Sequence, residues 1–76
     1  MTDKDPELLK LAARITELRK AKNLSIHGLA DAADIEYSLL QRVEKGNVNI
    51  QFKTLVAISK GLDMHFDEMT NGLRFP

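Results

Sequence analysis

The chain is 76 residues long, with 43% hydrophobic and 29% charged side chains. This length leaves room for one compact core and the balance is that of a chain that folds, which argues against a multidomain enzyme and against an unfolded segment. Eleven basic residues offset eleven acidic ones, which taken alone argues against a polyanionic partner, and the absence of cysteine excludes disulfides, thiolate metal sites and a cysteine nucleophile.

Charge is nevertheless unevenly spread. Residues 1–9 sum to −2, 10–22 to +4, 23–35 to −2, 36–60 to +2 and 61–76 to −2, so basic stretches exist within a neutral chain. A domain of this size hides only about 60% of the surface its unfolded chain exposes, and the modest stability that follows makes dimerisation an expectation. The opening MTDKDPELLK has no apolar signal core, and no run approaches the ~20 apolar residues of a membrane span. A cytoplasmic protein with no membrane partner is expected.

Helical spacing dominates from end to end. From Pro6 to Lys22 the apolar residues Leu8, Leu11, Ala12, Ile15 and Leu18 recur three and four apart, Pro6 suits a first turn, and Arg19, Lys20 and Lys22 complement the dipole at the far end. Asn23 and Leu24 form a short connection. Ser25 is an N-cap for a second helix reaching about Ala32, with Leu29, Ala30 and Ala33 facing inward. Asp34 falls where the chain must turn within a few residues, and aspartate tolerates a left-handed backbone better than most residues. A third helix follows through Ile35, Leu39, Leu40 and Val43 to Gly46, a helix-ending residue. GNVNIQ lacks periodicity and reads as a loop. A fourth helix spans about Phe52 to Leu62 with Phe52, Leu55, Ile58 and Leu62 inward, ended by Gly61 and Asp63, and His65 to Thr70 makes a short fifth with Phe66 and Met69 buried.

Residues 25–45 therefore hold two short helices, a turn of about three residues and a shared apolar wedge. Helices crossing steeply over so short a turn need a small residue where they approach, which Ala30 supplies. This is a helix-turn-helix unit.

With RITELRKAKNLS before it, LADAADIEYSLLQRVEKG across it and FKTLVAISKGLDMHFDEM after it, the chain resembles the Cro/C1-type, or XRE, family of phage and bacterial regulators over about residues 8–69. The resemblance implies an all-α, compact five-helix bundle of the phage-repressor DNA-binding type, with residues 1–7 as an N-terminal extension, 8–70 as the domain and 71–76 as a tail. It further implies that the third helix enters the major groove of double-stranded DNA with Tyr37, Ser38, Gln41 and Arg42 toward the bases. Their chemistry fits, since glutamine pairs with adenine, arginine with guanine, serine with either, and tyrosine meets a thymine methyl or a phosphate. Phosphate contacts carry over to Ser25, His27, Asn47, Asn49, Gln51, Lys53 and Thr54.

Three positions depart from the family pattern. Ile26 stands where glutamine is common and cannot bond a phosphate, Asp34 replaces the usual turn glycine, and Glu36 replaces a serine or threonine cap and puts an anion near the expected DNA backbone. Arg19 and Glu44 match a pair that forms a structural salt bridge in the family. Arg14, Lys20 and Lys22 read mainly as a solvated face, with contact to phosphates flanking a site as the alternative, Met64, Phe66 and Met69 as core, and Leu73 and Phe75 as either folded back or used between subunits.

The leading expectation is a small DNA-binding regulator, a repressor acting as a homodimer, with an antitoxin or a restriction-system controller fitting the same residues and a toxin as a possible protein partner. A protein-interaction module that keeps the fold is the alternative. No enzyme is expected: Ser25 and Ser38 lack a matched His and carboxylate, and there is no phosphate-binding glycine loop. Neither a cofactor nor a metal ion is implied.

Overall fold

The computed structural model describes residues 5–73, and among these the chain forms five helices and no strand. They are α1 (Pro6–Ala21), α2 (Ile26–Ala33), α3 (Tyr37–Lys45), α4 (Phe52–Gly61) and α5 (Phe66–Met69). Their principal contacts close a ring: α1 packs on α3 and α5, α2 packs on α3 and α4, and α4 packs on α5. Ile15, Leu29, Leu40, Ile58, Leu62 and Met69 fill its middle, each fully buried.

One device ends four of these helices. After α1, α2, α3 and α4 a residue adopts the left-handed backbone: Asn23 at φ 58°, Asp34 at 58°, Gly46 at 72° and Asp63 at 59°. At each, the next residue's N–H reaches back five residues, as Leu24 does to the Arg19 carbonyl, Ile35 to Ala30, Asn47 to Arg42 and Met64 to Ser59, at 3.0–3.1 Å. These bonds satisfy carbonyls a helix end would otherwise leave bare. Gly46 is the one of the four without a side chain, and a Cβ there would come within 2.8 Å of Leu9 Cδ2. At the other ends, Asp5 caps α1 by accepting from the Glu7 N–H and Ser25 caps α2 by accepting from the Gly28 N–H, both at 2.9 Å.

α2 and α4 touch through their last residues. A Cβ added to Gly61 would lie 2.9 Å from the Ala33 nitrogen and 3.0 Å from its Cβ, so a larger residue must push helix backbones apart. Overpacking costs about 1–3 kcal/mol, and the gain in helix preference of alanine over glycine returns up to about 1. Gly61→Ala is therefore expected to lower the thermal midpoint by several degrees, at roughly 4–8 °C per kcal/mol for a domain of this size. A midpoint at or above wild type in a melt followed by circular dichroism would show that the two ends are free to separate.

Three expectations need correction. Phe52 is not inward: it is 67% exposed, because the first residue of α4 projects past the end of the core, where its ring lies beside that of Phe66, 5.1 Å away between centroids. Phe66 and Met64 are half-buried at the rim rather than central. Arg14 is not part of a solvated face, because its Nε donates to the Met69 carbonyl at 3.0 Å and its Nη2 to the Glu68 carbonyl at 3.1 Å, closing the end of α5 onto α1. Leu73 packs against the core, and Phe75 lies outside the described residues.

Candidate nucleic-acid interface

Helical geometry gives α3 two unlike sides. Leu40 and Val43 are buried, and Tyr37, Ser38, Gln41 and Arg42 share the opposite side, with Ser38 and Arg42 exposed and Tyr37 and Gln41 half-buried. Arg42 Nε lies 3.5 Å from the Ser38 carbonyl oxygen, at the outer limit of hydrogen bonding, so its planar fork of donors is uncommitted. The side thus offers an amide, a guanidinium, a hydroxyl and a phenol at consecutive steps of one helix.

The turn that aims this helix is Asp34 to Glu36. Asp34 at φ 58° and ψ 45° reverses the chain, and Ile35, half-buried, packs against the core on the way into α3. Glu36 occupies the N-cap of α3 and Gln51 that of α4, and neither side chain caps its helix. First-turn N–H groups are left facing outward at both helices, where an anion finds donors and the positive end of the dipole.

The remaining residues named from sequence fall around these two ends. Ser25 is exposed and uses its oxygen as the α2 cap, which leaves the hydroxyl proton to donate elsewhere. His27 is exposed and stacks on Tyr37, with ring centroids 3.9 Å apart and planes 13° from parallel. Asn47, Asn49, Gln51 and Lys53 are exposed and Thr54 is half-buried. Ile26 packs against the core. The structure brings His27 and Tyr37 together, whereas no side-chain hydrogen bond among the described residues joins Asn47, Asn49 or Gln51 to the α3 side.

Behind α3 lies its mount. Arg19 Nε donates to Glu44 Oε2 at 2.7 Å and Nη2 to Oε1 at 3.0 Å, a two-pronged pair with side chains only 11% and 7% exposed. Arg19 Nη1 also donates to the Leu24 carbonyl at 2.8 Å, and the Thr16 hydroxyl donates to Glu44 Oε1 at 3.0 Å. One network therefore ties α1, the α1–α2 connection and the last turn of α3. Thr16 was missed in the sequence, although its place one helical turn before Arg19 is the signal that would have found it. Among the described residues no group of three or more His, Cys, Asp or Glu side chains is placed to hold a metal ion, and no helix is long and apolar enough to cross a membrane.

Two helices joined by a three-residue turn, the second braced from behind and polar in front, define a helix-turn-helix protein. Over residues 15–69 the chain matches the Helix-turn-helix family, HTH_3, and it belongs to that family. An uncharacterized HTH-type transcriptional regulator of Rickettsia conorii is 36% identical over 63 residues, 83% of this chain and 50% of that protein. The HTH-type transcriptional regulator DdrOP3 of Deinococcus deserti is 28% identical over 67 residues, 88% of this chain and 52% of its own. The chain spans about half the length of the curated relatives it matches. Among solved structures, the restriction-modification controller protein C.AhdI from Aeromonas hydrophila superposes with a TM-score of 0.82 at 31% identity, covering 86% of this chain and 98% of that one. The controller protein C.Esp1396I does so at 0.80 and 26%, covering 87% and 88%. The resemblance to Cro/C1-type regulators read from the sequence holds.

Proposed function

We propose that the chain is a sequence-specific DNA-binding transcriptional regulator, a small repressor that acts as a homodimer and lays α3 in the major groove. The observation that carries this reading is the side of α3 bearing Tyr37, Ser38, Gln41 and Arg42, turned away from buried Leu40 and Val43. A helix fits the major groove, and amide and guanidinium side chains on its outward side match adenine and guanine edges. Ser25, Asn47, Asn49, Gln51, Lys53 and Thr54 set the register by contacting phosphates, together with the open helix ends at Glu36 and Gln51. Residues 8–70 form the binding unit. A two-fold pair reads two half-sites about one turn of DNA apart, which compensates for the small area one such helix buries.

The relatives named as transcriptional regulators and the similar controller proteins support regulation rather than catalysis. A controller of a restriction system, or an antitoxin that also binds a toxin, fits the same surface. Ile26, Glu36 and the zero net charge favour a second reading, a protein-interaction module that keeps the fold.

Salt separates the two. Each phosphate neutralised by a lysine or arginine adds about −0.9 to the slope of log affinity against log salt. Binding to a duplex selected from a random pool is expected to weaken steeply with salt, and Lys53→Ala to flatten the slope by about 2 for a dimer, one unit per protomer. Failure to retain any duplex at low salt would favour the module.

A further inference from the structure

The contact between His27 and Tyr37 is not required by the fold. His27 is exposed, both rings stand at the first turns of their helices, and no described residue hydrogen-bonds the Tyr37 hydroxyl. Their planes nonetheless lie 13° from parallel with centroids 3.9 Å apart. A tyrosine at the start of an outward helix is ordinarily free to move between staggered rotamers. Here an imidazole from the other helix of the unit covers one face of the ring and restricts that movement. Binding that requires one orientation of the phenol then gives up less freedom on contact with a ligand.

We infer that His27 is a positioning residue that holds Tyr37, the first side chain of α3, in the orientation in which it meets a base step, so that preference at that step depends on a residue contributed by α2. The inference rests on the DNA-binding reading and deepens it. It also departs from the sequence expectation for His27 as a phosphate contact: its ring acts on Tyr37, and the backbone of the duplex is not its partner.

The test uses two substitutions and two readouts. His27→Ala removes the stacked ring, whereas His27→Phe keeps an aromatic face and removes every hydrogen bond the imidazole could make. Tyr37 is the one tyrosine in a chain without tryptophan, so tyrosine fluorescence reports on this side chain alone. His27→Ala is expected to change the fluorescence yield and to reduce discrimination at the affected step of the duplex the wild type selects from a random pool. The reduction is about 2- to 10-fold, the worth of one aromatic pair. His27→Phe is expected to restore the discrimination. Unchanged discrimination in His27→Ala overturns the inference, and so does a His27→Phe variant as impaired as His27→Ala, which would make His27 a phosphate contact. A wild type that selects no duplex at all instead removes the DNA-binding reading, and the inference falls with it. Circular dichroism confirms that the variants are folded.

Discussion

The double variant Gln41→Ala, Arg42→Ala is expected to lose sequence preference while keeping most of its affinity for arbitrary duplex. Glutamine on adenine and arginine on guanine each discriminate by about 1–3 kcal/mol against the wrong base. With both gone from each protomer, four such contacts are lost, and at about 1 kcal/mol each the ratio of affinities for selected and scrambled duplexes should fall by about a thousandfold. The phosphate contacts remain, so the salt slope should change little. Neither side chain supports the core: Arg42 is exposed, Gln41 is half-buried on the outward side, and no described residue takes a bond shorter than 3.5 Å from Arg42. The variant should therefore melt within about 0.5 kcal/mol of wild type, as surface substitutions generally do. Competition binding with both duplexes measures the ratio. If affinity and preference are both unchanged in a folded variant, the reading side of α3 has been misassigned.

What could be read in advance depended on how local its cause was. The left-handed turn at Asp34 and the stop at Gly46 are decided by residues within one helical turn, and both were legible. So were Leu29, Ala30, Ala33, Leu40 and Val43 as the buried positions of the helix-turn-helix, because a 3.6-residue period fixes which side chains share a face. Asn23 was read only as part of a connection, though it ends α1 in the same manner as Asp34. Phe52 misled because periodicity places a residue on a side of a helix and is silent on whether the neighbouring elements extend that far along it. Arg14 could not be placed from sequence, since the carbonyls it binds lie 54 and 55 residues away at the end of a four-residue helix. The His27–Tyr37 stack belongs to the same kind: each residue was named separately, and only the crossing of α2 and α3 puts their rings together.

Glu44→Ala is expected to be the most damaging single substitution away from the outward surface. It removes both acceptor oxygens from Arg19 and the acceptor of the Thr16 hydroxyl, stranding a buried guanidinium without its counter-charge. Breaking one side of a buried ion pair costs about 3–5 kcal/mol. At about 0.05–0.15 kcal/mol per residue, a domain of this length has only about 4–11 kcal/mol to lose, so the variant should give up a large share of its stability. Arg19→Ala should cost somewhat less, because the carboxylate left behind keeps the Thr16 hydroxyl as a donor. Replacing both by apolar residues of similar volume, Arg19→Met with Glu44→Leu, should recover most of the loss, since the desolvation penalty leaves with the charges. Urea unfolding of the four proteins measures each of these losses. A loss below about 1 kcal/mol in Glu44→Ala would mean that the pair behaves as an exposed surface contact. The apolar double variant also separates stability from presentation. The pair joins α1 to the last turn of α3 with two parallel bonds of fixed direction, and apolar packing has no such direction. A double variant that is stable yet binds its selected duplex more weakly than wild type would assign the ion pair to setting the angle of the recognition helix, whereas full binding would assign that angle to the core beneath it.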